Sequence, residues 1–150
     1  MVKDRYRLGL ETVAKVNAEG ARRIADALGD IAPDFHRIVM SFAYGDIAAR
    51  PALDLARREI ATIAALTAMG HARAQLEAHI EGGLNVGLTR EEIVEVVMQM
   101  AVYAGVPAAL NGLAAAKTAF ARADKRKRSS RVPAGKRKTP RRQAPGERVR

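Results

Sequence analysis

The side chains able to do chemistry in this 150-residue chain are few, and one type is missing: there is no cysteine. That excludes disulfides, thiolate nucleophiles and cysteine-ligated metals together. Acid–base work is left to three histidines, His36, His71 and His79, and to the carboxylates. Leu76, His79, Ile80 and Gly83 stand at i, i+3, i+4 and i+7, which predicts a helix with His79 on or beside its apolar face. An imidazole held there can move a proton near neutral pH; it can equally be a core histidine bonded to a carbonyl. Glu59 shares a stripe with Thr62, Ile63 and Leu66, although an exposed Glu in the first turns of a helix is also favoured by the dipole. His71 follows the Gly70 turn and reads as solvated, and His36 beside Phe35 as surface or interface. No pair of these groups has the spacing a metal site requires, so no metal is expected.

Helices must carry these residues. A first helix is expected over 7–29, weakened in its middle by Gly20. Pro33 and Asp34 open a second run with the stripe Phe35, Ile38, Val39 and Phe42, ended by a turn at Tyr44-Gly45-Asp46. Asp54 is the expected N-cap of a helix to Met69, with Gly70 as its stop. The helix of His79 spans about Arg73 to Val86, closed by Gly87. Thr89-Arg90-Glu91-Glu92 is a capping box, and Gly105-Val106-Pro107 is a stop followed by a start. The last helix is expected to end near Ala123. No segment alternates like a half-buried strand.

Hydrophobic residues make up 48% of the chain but aromatics only 4%, so the core must be built from Ala, Leu, Ile, Val and Met, mostly strong helix formers. An all-α fold is the expectation, with one domain over residues 1–123. The net charge of +10 is unevenly placed. Residues 124–150 hold twelve Lys/Arg and two Asp/Glu; taken from the totals of 26 and 16, this leaves fourteen of each sign in residues 1–123. The basic segment is too poor in apolar residues to fold alone and reads as disordered. It is either a solvated appendage or a weak, non-specific contact for nucleic acid or another polyanion through residues 125–150, sensitive to salt. No signal segment and no membrane-length apolar run is seen, so a cytoplasmic protein without membrane attachment is expected.

From Ser41 to Phe120 the chain resembles the carboxymuconolactone decarboxylase family. The resemblance is carried by Tyr44-Gly-Asp-Ile-Ala-Ala-Arg-Pro-Ala-Leu-Asp54, by Arg58-Glu-Ile-Ala-Thr-Ile-Ala-Ala-Leu-Thr-Ala-Met-Gly70, by Gln75-Leu-Glu-Ala-His79 with Gly83-Leu-Asn-Val-Gly-Leu-Thr-Arg-Glu-Glu-Ile93, and by Gln99-Met-Ala-Val-Tyr-Ala-Gly-Val-Pro-Ala-Ala-Leu-Asn111. It implies an alkylhydroperoxidase D-like helical domain with an antiparallel core hairpin, assembly as a homotrimer or homohexamer, and an active site between the two core helices. The peroxidase branch of that fold uses a Cys-x-x-Cys pair with a nearby Glu and His. Without cysteine, only Glu59 and His79 of that set remain.

The reaction the resemblance implies takes 4-carboxymuconolactone to 3-oxoadipate enol-lactone. The leaving carboxylate sits on a ring carbon conjugated to the lactone carbonyl, so the substrate carries its own electron sink and no cofactor is expected. The protein must hold the carboxylates, stabilise the developing oxyanion and return a proton to carbon. A guanidinium fork matches a carboxylate, and Arg50 and Arg58 are the candidates, with structural ion pairing as their other reading. Proton return suits His79, with Glu59 orienting it or relaying the proton. Tyr44 is a candidate contact to the substrate. Two other readings stay open: an isomerase or hydrolase of the same fold in a biosynthetic pathway, and a non-catalytic oligomer with polyanion-binding tails.

Overall fold

A computed structural model describes residues 4–131, which are helical and contain no strand among the described residues. Helix α1 (Arg5–Leu28) starts at Asp4, whose side chain accepts from the backbone N–H groups of Tyr6 and Arg7. It breaks at Asn17 (φ −159°, ψ 79°) rather than at Gly20, where the weakness was expected. The reason is a cap inside the helix: Asn17 Oδ1 accepts from Gly20 N–H at 2.8 Å. The carbonyl of Val16, released from its helical partner, accepts instead from Asn85 Nδ2 at 2.8 Å, and Asn17 Nδ2 donates to Ala78 O at 3.1 Å. The two amides thus fasten the bend of α1 to the helix that carries His79.

Helix α2 (Phe35–Val39) runs directly into a wider π-helical segment, Met40–Ala48. Tyr44-Gly45-Asp46 therefore lies inside a helix and is not the turn its composition suggested. Gly45 serves a close crossing with α1. A Cβ there would fall 2.2 Å from Arg5 O, and one on Gly9 would fall 2.0 Å from Met40 O. Asp46 is ion-paired with Arg5 across the same crossing. Of the expected stripe Phe35, Ile38 and Phe42 are exposed and Val39 packs beside the core, while Met40 and Gly45 are the buried residues of the run.

The rest follows the expected punctuation. Asp54 caps α3 (Leu55–Met69), accepting from Arg57 N–H at 2.8 Å, and Gly70 ends it in the left-handed conformation. The short link from Gly70 to Ala72 returns the chain into α4 (Arg73–Asn85), the other arm of the core hairpin. Thr89 and Glu92 form both bonds of the capping box that opens α5 (Arg90–Ala104). Ile63, Leu76, Ile80, Ile93, Val97, Ala115 and Ala119 close the main core between α3, α4, α5 and α6 (Val106–Arg131). The small alanines of α6 let its backbone approach closely.

Helix α6 does not stop near Ala123; it continues to Arg131. Asp124 pairs with Arg90, and Arg126 pairs with Glu81, a carboxylate with 2% of its side chain exposed. Charges that look solvated in sequence are thus fixed by opposite charges from distant helices. The remainder of the basic segment expected to be disordered, 132–150, lies outside the described residues. No helix among the described residues is long and apolar enough to cross a membrane.

Candidate active site

Glu59 is carried on the inward face of α3 and His79 on α4. The hairpin brings them together: His79 Nδ1–H donates to Glu59 Oε2 at 2.9 Å. The two side chains differ in exposure, Glu59 at 6% and His79 at 27%. The carboxylate is the buried anchor and the imidazole the face it presents. With Nδ1 committed to the carboxylate, the neutral ring carries its lone pair on Nε2, and the protonated ring carries a donor there. Gly82 makes room for this pair. A Cβ on Gly82 would lie 3.3 Å from Glu59 Oε2 and 2.7 Å from Val16 Cγ1.

His79 lines a cavity of about 440 Å³ between α4 and the second half of α1, where Asn17, Ala21 and Ile24 form the facing wall. That is the size range of small-ligand sites. Tyr44, from the π-helical segment, lines the same cavity. Burial, and then the negative charge of Glu59, push its phenol up to about 12. Tyr44 is therefore a neutral O–H donor at every physiological pH. Charged residues also line the cavity: Arg23 from α1, Glu77 from α4 and Arg122 from α6.

Three of the five residues singled out in sequence meet in this way: Glu59, His79 and Tyr44. The two arginines do not join them within the chain. Arg58 is spent on the loop before α3, donating from Nε to Leu53 O and from Nη2 to Arg50 O, each at 3.0 Å. Arg50 is exposed and lines a different groove, with Ala49, Pro51 and Asn85. Neither lines the cavity of His79. His71 is exposed beside Met69 O, and the ring of His36 stands edge-on to Tyr6. Among the described residues no cluster of His, Asp and Glu is arranged to hold a metal ion.

Sequence reasoning missed Asn17, Gly82, Arg23 and Arg122. Asn17 carried a local signal, because an Asn three residues before a glycine inside a helical run is a cap in waiting. The other three carried none, since their roles depend on which helices lie opposite.

The sequence profile of the carboxymuconolactone decarboxylase family matches residues 33–118. A 4-carboxymuconolactone decarboxylase from Acinetobacter baylyi is 33% identical over 119 residues, covering 79% of this chain and 88% of the relative. A nitrosuccinic acid decarboxylase from Metarhizium robertsii is 31% identical over 98 residues, covering 63% and 67%. The matched segment contains Tyr44, Glu59 and His79, and the chain belongs to the carboxymuconolactone decarboxylase family.

Proposed function

We propose that the protein is a cofactor-independent decarboxylase that converts 4-carboxymuconolactone, or a close analogue carrying its own electron sink, to the enol-lactone. The observation that carries this reading is the Glu59–His79 hydrogen bond at the wall of the cavity. In the proposed reaction the bond from the ring carbon to the carboxylate breaks and CO2 leaves. The electron pair passes through the ring double bond to the lactone carbonyl oxygen. Tyr44, held neutral, donates its O–H toward that developing oxyanion, a contribution typically worth ~10²–10³ in rate. Protonated His79 then delivers hydrogen from Nε2 to the ring carbon next to the carbonyl and is reprotonated from solvent. Glu59 fixes the ring and balances the imidazolium charge. The names of the two relatives support decarboxylation of a polar organic acid.

The homotrimer or homohexamer implied by the resemblance belongs to the same proposal. Phe35, Ile38 and Phe42 at one surface, and Val102, Tyr103, Val106 and Leu110 at another, stand exposed in the single chain and suit burial against copies of it.

The test is CO2 release from 4-carboxymuconolactone in D2O. The proposal expects stoichiometric CO2 and one deuterium at the carbon adjacent to the lactone carbonyl. An isomerised or ring-opened product without CO2 would support the isomerase or hydrolase reading instead.

A further inference from the structure

The reaction as proposed uses His79 and Tyr44 of the cavity lining and leaves its charged residues Arg23, Glu77 and Arg122 without a task. Arg23 and Arg122 both line the cavity. Each is held from behind by acids: Arg23 Nη2 pairs with Glu19, and Arg122 Nη1 lies 2.9 Å from Glu77 Oε2 and 3.8 Å from Glu81 Oε1. These contacts use one terminal nitrogen of each guanidinium, so the other edge of each fork is not committed to them. Both arginines are about half exposed, at 55% and 48%. Apolar residues, including Ala21, Ile24 and Ala78, line the same cavity.

The ion-pair network behind these two arginines carries one cation in excess. Arg23, Arg73, Arg122 and Arg126 face Glu19, Glu77 and Glu81, four cations against three anions. Glu81 Oε1 is buried without a hydrogen-bond partner among the described residues, with Arg122 Nη1 3.8 Å away. One further carboxylate balances the cluster. Arginine oriented by a buried acid is suited to receive it, because the planar fork is already fixed.

We propose that Arg23 and Arg122 form a subsite for a second carboxylate of the substrate, the one that is not lost. The subsite selects diacids over monoacids. It rests on the decarboxylase reading above for its substrate, but not on turnover for its test. Both residues lie outside residues 33–118, so this selectivity is built by the flanking helices rather than by the segment common to the family.

The test is calorimetric binding of two saturated lactones, which lack the double bond and are not decarboxylated. One carries both carboxylates of 4-carboxymuconolactone; in the other the side-arm carboxylate is a carboxamide. Wild type, Arg122→Lys and Arg23→Gln are compared. Arg122→Lys keeps a charge against Glu77, and Arg23→Gln leaves the Glu77–Glu81 cluster intact, so the second variant decides if the first fails to fold. The expected result is a loss of about tenfold or more in diacid affinity in each folded variant, the scale of a charged hydrogen bond. Affinity for the carboxamide stays within about twofold. Equal losses for both ligands, no loss for either, or no binding by wild type would overturn the subsite. Diacid-selective binding without CO2 release would overturn the reaction while leaving the subsite standing.

Discussion

Glu59 and His79 lie twenty positions apart in sequence and are joined by a 2.9 Å hydrogen bond between the two arms of the core hairpin, the acid buried and the imidazole at the cavity wall. This arrangement gives Glu59 an orienting role rather than a direct one. Glu59→Gln keeps the shape but loses the charge that fixes the ring. Its expected effect is a fall of roughly ten- to hundredfold in kcat, part of the ~10²–10⁴ that a positioned acid provides, with KM nearly unchanged. A variant with raised KM and unchanged kcat would assign Glu59 to substrate binding instead.

Tyr44 supplies a pH test. Its phenol in the folded chain titrates near 12, above its ordinary value of 10, because burial and the Glu59 charge oppose ionisation. A raised folded value means that the contribution to stability is complete below pH 10 and is lost as pH rises toward 12, where the unfolded chain ionises first. Tyr44→Phe should leave urea stability near pH 8 without this pH dependence and flatten its fall between pH 10 and 12, by up to about 2–3 kcal/mol. One of the three tyrosine ionisations followed by ultraviolet absorbance, the one near pH 12, should vanish in the variant. Identical alkaline slopes in both proteins would contradict this.

Gly82 tests whether the pair depends on the space beside it. In Gly82→Ala the new methyl presses on Val16 and the Glu59 carboxylate. Overpacking of this kind costs about 1–3 kcal/mol, and displacement of Glu59 should lower kcat beyond what the lost stability explains. Activity at wild-type level in the folded fraction would show that the carboxylate position is not critical.

The end of α6 gives a prediction opposite to the one its composition suggests. A chain ending at Ala123 loses Asp124 and Arg126, and with them one partner of buried Glu81. Leaving a buried polar group short of its partner costs about 1–3 kcal/mol, so this truncation should melt lower than the full chain. A chain ending at Arg131 keeps both pairs and should melt with the full chain. Equal melting of all three would remove the stabilising role of the extension.

What was legible in sequence follows from the range of the interactions concerned. Asp54, Gly70, the Thr89–Glu92 box and Gly105-Val106-Pro107 act within a few residues, and the structure ends and starts helices there. Periodicity put His79 on or beside the apolar face of α4 and Glu59 on a stripe with Thr62, Ile63 and Leu66. It left the burial of Glu59 open, because that depends on α4 packing against it. Gly45 was misread because a glycine beside an aspartate signals a turn locally, whereas here it serves a crossing with Arg5. The C-terminal end of α6 was misjudged for the same reason, and Arg58 takes the structural one of its two readings. Charged side chains reveal in sequence what they can bind but not what folds against them: Arg126 meets an acid forty-five positions away, and Arg58 is consumed by its own loop.

The proton donor is the centre of the account, and His79→Gln tests it most directly. Turnover of 4-carboxymuconolactone is followed as CO2 release at saturating substrate, with melting temperature confirming the fold. The account predicts a fall of at least about 10²-fold in kcat with KM changed only a few-fold. A folded His79→Gln protein releasing CO2 at the wild-type rate would contradict it.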